Sequence, residues 1–237
     1  MIKIIQSEFL KYRRTIVPPA ILGSALLTAV LGIFMADGGN WYASMANGLG
    51  WLNLLSLILI SILVGIVFAG EYSYGTAKIL FTYPIVRWKF YVAKLVVLFF
   101  WVISLYATFF LFSIFSGMVL GFPFPTLEVF FQALRLLAVL SVCNLVLAPL
   151  TALISILFRE YIAFILAGIL YVAIYFSFIR TNARYFLPMT IPNVIKDSYL
   201  ASVILTPLDW IHIVVTLLIV FIVTVTFGLI YYVKRDA

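Results

Sequence analysis

Hydrophobic positions run along this chain in long unbroken stretches, without the alternation of a half-buried strand or the narrow stripe of a surface helix. Windows of about 19 residues mark such stretches at 15–36, 52–70, 95–120, 130–158, 161–179 and 210–233. A hydrocarbon core about 30 Å thick takes roughly 20 helical residues to cross. The pattern therefore predicts an all-α polytopic membrane protein: six transmembrane helices in a single transmembrane domain over 1–237. The first stretch follows Lys11, Arg13 and Arg14, as a signal peptide would. It outruns the roughly 7–15 apolar residues of a signal sequence, so it is expected to stay as an anchor. Pro149 inside the fourth stretch is acceptable in a bilayer, where neighbouring helices satisfy the freed carbonyl.

Two further segments show weaker patterns. In 1–14, Ile2, Ile5, Phe9 and Tyr12 share one helical face, while Lys3, Gln6, Glu8, Lys11 and Arg13 mostly fall elsewhere. That predicts an amphipathic helix lying in the interface before the first crossing. Residues 180–209 are apolar but interrupted by Lys196, Asp197, Pro188, Pro192 and Pro207. A full crossing there would bury an ionised pair, so the segment reads as a short outer interfacial or re-entrant excursion, with an irregular loop as the alternative. Ile195, Tyr199 and Val203 recur every four residues, as one amphipathic helical face does.

Composition agrees with this picture and narrows it. Of 237 residues, 66% are apolar and only 10% charged; soluble domains carry about 25% charged residues. An ordinary water-soluble enzyme is excluded, as are disordered and collagen-like chains. The net charge of +7 would suggest nucleic acid in a soluble domain, but here the basic residues flank the spans. Lys3, Lys11, Arg13, Arg14, Lys78, Arg87, Lys89, Lys94, Arg159, Lys234 and Arg235 lie on one side. The other side holds only Arg135, Arg180, Arg184 and Lys196. The positive-inside rule then places both termini in the cytoplasm. Cys143, the single cysteine, lies in an apolar run, and no Cys/His cluster has metal-ligand spacing. No catalytic, cofactor-binding or metal-ligating set is expected in this chain.

Inside the spans the polar groups are sparse. Ala20, Ser24, Thr28, Gly32 and Ala36 recur every four residues along the first crossing, and Gly117 and Gly121 close the third. Small side chains let helices approach closely, which fits either packing within one bundle or a dimer contact. Ser56, Ser61, Ser141 and Asn144 are the other polar positions, and no span has a carboxylate at its centre. Ion-coupled carriers place such charges at midplane, so autonomous ion-coupled transport is disfavoured. Asn144 is a candidate for lining a pathway or for bonding a neighbouring helix.

The loop after the second crossing, 71–94, carries the densest signal. It is short, basic and aromatic. Gly75-Thr76 can turn the backbone, with Thr76 as N-cap of a helical piece containing Leu80. Pro84 stops that piece by disfavouring helical geometry at Tyr83. Arg87, Lys89 and Lys94 then lead into the third crossing. The expected result is a stubby helix parallel to the membrane, facing the cytoplasm.

This arrangement resembles the permease subunit of an ABC exporter of the ABC-2 type. The loop resembles the motif Glu-x3-Gly-Thr-x3-Leu-x2-Pro-x2-Arg-x6-Lys, supplied here by Glu71, Gly75, Thr76, Leu80, Pro84, Arg87 and Lys94. The interfacial N-terminal helix, the six spans and the outer excursion also resemble that family. In size and loop pattern the chain is similar to small permeases of bacitracin- and lantibiotic-resistance exporters. The resemblance implies a multi-pass protein of a bacterial plasma membrane, with two permease chains, identical or not, joined to two cytoplasmic ABC ATPase subunits. It implies that ATP and Mg are bound by those partners. Independently, the chain contains no G-x-x-x-x-G-K-[ST] phosphate cradle. Glu71, Gly75, Thr76, Leu80, Pro84 and Arg87 become the ATPase-coupling candidates, and an amphipathic peptide antibiotic or lipid-like molecule the expected cargo.

Two other classes compete. A polytopic assembly partner or substrate-binding component would share the composition without needing an ATPase. An intramembrane enzyme would need a serine and histidine facing one another, and His212 with Ser24 is the faint pair available.

Overall fold

The computed structural model describes residues 1–12, 15–35, 41–70, 86–158, 161–199 and 205–234. Its helices are α1 (Ile2–Tyr12), α2 (Val17–Phe34), α3 (Trp41–Val64, continued by a π turn Gly65–Ala69) and α4 (Arg87–Val119). They continue with α5 (Leu127–Leu145), α6 (Leu147–Phe158), α7 (Tyr161–Phe178), α8 (Ile191–Tyr199) and α9 (Pro207–Lys234). A 3-10 turn, Asn182–Tyr185, precedes α8. Among the described residues the regular structure is entirely helical, and the molecule is an all-α polytopic membrane protein.

Five stretches are long and apolar enough to cross a membrane: Val17–Phe34, Trp41–Phe68, Arg87–Val119, Leu127–Phe158 and Pro207–Lys234. The fifth apolar run of the sequence is α7, with 18 residues. At 1.5 Å per residue it is about 27 Å long, the same length as α2. The span 127–158 is jointed at Val146. Pro149 falls in the first turn of α6, where a missing N–H costs nothing within the helix.

Helix ends follow local chemistry. α4 stops at a Schellman motif: Phe122 N–H donates to Gly117 O at 2.9 Å and Gly121 N–H to Met118 O at 3.1 Å. Gly121 sits at φ 72°, a conformation that suits glycine. At the start of α9, the Asp209 carboxylate accepts from Thr206 N–H (2.9 Å) and Oγ1 (2.7 Å), while Asp209 N–H donates to Thr206 Oγ1 at 3.3 Å. This reciprocal cap, with Pro207 at the first helical position, is a strong helix start.

α3 occupies the centre, packed by α2, α4, α6 and α7. It begins at Trp41, well before the apolar run at 52. Trp41 earns its place by docking: its indole N–H donates to Ser113 O at 3.0 Å and its ring lies against Gly117 on α4. α2 packs on α3 at a backbone-close crossing, where a Cβ on Gly32 would strike Ser44 O and approach Gly48 Cα to 2.8 Å. In contrast, α9 leaves most of its length uncovered, including Leu218, Ile222 and Phe227, as a lipid-facing helix should.

α1 packs along α4, with Phe9 edge-on to Phe100 at 4.9 Å. Its buried positions are Glu8 and Tyr12, while Ile2 and Leu10 are exposed. The packed face is thus turned toward Glu8 relative to the apolar face read from sequence, because Glu8 finds cationic partners there. α8 differs from a surface excursion in its first half. Ile191 through Ile195 are buried, so this short helix dips between α3 and α5.

Candidate functional site

The segment 71–85 lies outside the described residues, and with it Glu71, Gly75, Thr76, Leu80 and Pro84. Both flanks are described, and they form a charged frame. Lys94, about two turns into α4, is completely buried. Its ammonium donates to Val67 O in the π turn at 2.6 Å and lies 3.7 Å from Glu8 Oε2. The same nitrogen is 5.5 Å from the Phe68 ring centre. Glu8 Oε1 also takes Lys11 Nζ at 2.5 Å. One carboxylate on α1 therefore bridges a lysine at the surface and a lysine in the bundle. A buried charge is tolerated only when it is paired and hydrogen-bonded, so α1, the end of α3 and the start of α4 are held together here by necessity.

The frame extends to α9. Arg87 Nη1 donates to Val233 O at 3.2 Å, serving one of the carbonyls that a helix C-terminus leaves open. Phe68, Tyr91 and Tyr232 form an aromatic triangle with ring centres 5.7–6.3 Å apart, and Tyr91 and Tyr232 are buried. Four elements thus converge on the two ends of the loop.

A second polar system threads the bundle. Asn144 donates from Nδ2 to Tyr106 Oη (2.7 Å) and Leu140 O (3.0 Å), and its Oδ1 accepts from Ser56 Oγ at 3.1 Å. Tyr106 donates to Asn53 Oδ1 at 2.8 Å, and Asn53 Nδ2 donates to Asn193 Oδ1 at 3.1 Å. Asn193 Nδ2 donates to Tyr175 Oη at 2.8 Å. The chain links α5, α4, α3, α8 and α7, and Asn53, Tyr106, Asn144 and Asn193 are all buried. Each amide is oriented by its neighbour, so the series has one self-consistent arrangement. Asn144 stands at its closed inner end.

The small-residue stripe divides. Thr28 and Gly32 are buried against α3, whereas Ala20 and Ser24 are half-exposed. Ser24 Oγ donates to Ile21 O at 3.0 Å, and His212 lies against Phe186 with ring centres 5.0 Å apart. Each is engaged with a different neighbour.

Glu8, Asn53, Tyr106 and Asn193 were not singled out from the sequence. Glu8 sits among interfacial charges of similar appearance, and Asn53, like Asn193, is one amide near the edge of an apolar segment. The available signal was the rarity of ionisable and amide groups inside spans, which makes each of them suspect.

A bundle of helices long and apolar enough to cross a membrane, with a short helix tucked in at one end and charged groups at the flanks of a loop at the other, is the build of a polytopic membrane domain. The family described as ABC-2 family transporter protein matches residues 4–176, and the chain belongs to it. The matched region takes in most of α1, the Glu8, Val67 and Lys94 part of the frame and the loop, and ends within α7, short of α9. No curated protein matches the sequence.

Proposed function

We propose that this ABC-2 type permease is the membrane subunit of an ABC exporter that moves an amphipathic substrate across the plasma membrane. ATP, with Mg, is hydrolysed by separate cytoplasmic subunits, two of which work with two permease chains. The 71–85 segment docks on the ATPase, with Leu80 as an apolar knob, Arg87 as an interfacial charge and Glu71 anchoring the end of the second crossing. The observation that carries this reading is the frame at the loop's flanks. Lys94 ties Val67 O and Glu8 together while Arg87 holds Val233 O. A push on the loop is therefore delivered to α1, α3, α4 and α9 at once, as alternating access of a bundle without its own motor requires.

Co-expression with a candidate ABC ATPase, purification through a tag on the permease and assay of vanadate-sensitive hydrolysis tests it. The expected result is a co-purifying ATPase, lost with Leu80→Asp or Arg87→Glu. Intact co-purification and transport in both variants would refute docking through this loop. A chain that never retains an ATPase would instead be an assembly partner. Resistance to bacitracin and lantibiotics with and without the subunit tests the cargo.

A further inference from the structure

At the end of the bundle remote from the 71–85 loop, the hydrogen-bonded chain of amides and phenols opens into a cleft of about 280 Å³. Trp51 and Leu54 of α3, Tyr175 and Phe176 of α7, and Asn193 and Lys196 of α8 are among its walls. The cleft has a polar corner and an apolar side. Most of its donors are spent: Asn47 Nδ2 on Met35 O (2.9 Å), Trp51 Nε1 on Met35 Sδ (3.1 Å), and Asn193 Nδ2 on Tyr175 Oη. A phenol and an ammonium add to what a ligand can meet there. Tyr175 accepts from Asn193 and donates its own hydroxyl hydrogen to no described acceptor. Lys196 pairs only with the adjacent Asp197, Nζ to Oδ1 3.2 Å, both side chains being partly open to solvent. Such a pair is weakly held. Gly50 leaves the room, since a Cβ there would lie 3.1 Å from Lys196 Nζ.

A phenol hydrogen and a weakly paired ammonium together select an anionic acceptor. The volume of about 280 Å³ admits a compact head group. Phe176, largely exposed, and Leu54 carry the apolar wall from the cleft toward the lipid-facing surface. We propose that this cleft binds the phosphate head of an anionic membrane lipid, with Lys196 and Tyr175 as donors and the acyl chains lying outside along Phe176. The proposal rests on the exporter reading only in naming lipid, not peptide, as the cargo class. Binding itself needs no ATPase, so the two can fail separately.

Native mass spectrometry of the full chain in detergent tests it, with phosphatidic acid as probe, phosphatidylcholine as the zwitterionic lipid and inorganic phosphate as competitor. Phosphatidic acid is expected to bind more tightly than phosphatidylcholine. Lys196→Gln should weaken it about tenfold, the loss of one charge-assisted hydrogen bond, and Lys196→Arg should retain it. Tyr175→Phe should weaken it less, and Asp197→Asn should strengthen it by freeing the ammonium. Equal affinity of the Lys196→Gln and unaltered chains for phosphatidic acid, or no preference over phosphatidylcholine, overturns the proposal. Displacement by equimolar inorganic phosphate overturns the lipid as the source of the anion. If Lys196→Gln does not fold, the opposite responses of Tyr175→Phe and Asp197→Asn decide the matter, and absence of both overturns it.

Discussion

The two ends of the bundle are held by different chemistry. At the loop end, ionised groups are buried: Lys94 and Glu8 lie 3.7 Å apart with almost no access to solvent. At the opposite end, neutral amides and phenols carry the contacts, through Asn53, Asn193 and Tyr175. Breaking a buried ion pair by removing one partner costs about 3–5 kcal/mol, because the other charge is left stranded. An interhelical hydrogen bond in a membrane protein averages only about 0.6 kcal/mol. The loop end is thus the costlier of the two to disturb, and the opposite end the cheaper.

The sharpest way to break the comparison is Lys94→Met, which leaves Val67 O without its ammonium donor and Glu8 with Lys11 alone. A loss of about 3–5 kcal/mol is expected in thermal unfolding in detergent, with Glu8→Gln adding little once Lys94 is gone. Additive losses would show that the two do not form a unit. Gly32→Ala ranks next, at about 1–3 kcal/mol, because its Cβ meets the backbone at Ser44 O, which cannot rotate away. Asn53→Leu removes a link to both Tyr106 and Asn193 and should cost about 1–2 kcal/mol. It should also raise the exchange rate of α8 amides, measured by hydrogen–deuterium exchange, while leaving α1 protected. An Asn53→Leu loss as large as that of Lys94→Met would erase the asymmetry. The smallest effect belongs to Thr206→Ala, which removes the start of α9 at a cost of about 1 kcal/mol.

What could be read in advance depended on the range of the interaction. The apolar runs identified the crossings because a 30 Å apolar solvent imposes the same length on every helix. The helix ends at Gly121 and Thr206 are likewise local, since capping is decided within a few residues, although neither was read from the sequence as a cap. By contrast, the identity of partners could not be read locally. Glu8 and Lys94 are separated by a whole helical hairpin, and Asn53 reaches Asn193 across 140 positions. Asn144 was visible as a polar residue in an apolar run, but whether its amide meets a pathway or Tyr106 depends on the rotation of α4 against α5. The small-residue stripe was equally visible, yet only the crossing with α3 shows that Thr28 and Gly32 face inward while Ala20 and Ser24 stand half-exposed.

The amino-acid sequence alone determined that this protein lives in a membrane, where its apolar runs lie, which ends carry the basic charge, and that its loop at 71–94 resembles an ABC-2 pattern, though it read six crossings where five helices are long and apolar enough. Those properties follow from solvent and local backbone chemistry, which act residue by residue. Tertiary structure decided that Glu8 turns inward, that Lys94 is shared between α1 and the π turn, and that α8 dips far enough to place Asn193 beside Asn53. Inside a bundle a polar group must find a partner wherever packing puts one, and packing is a property of the assembled helices.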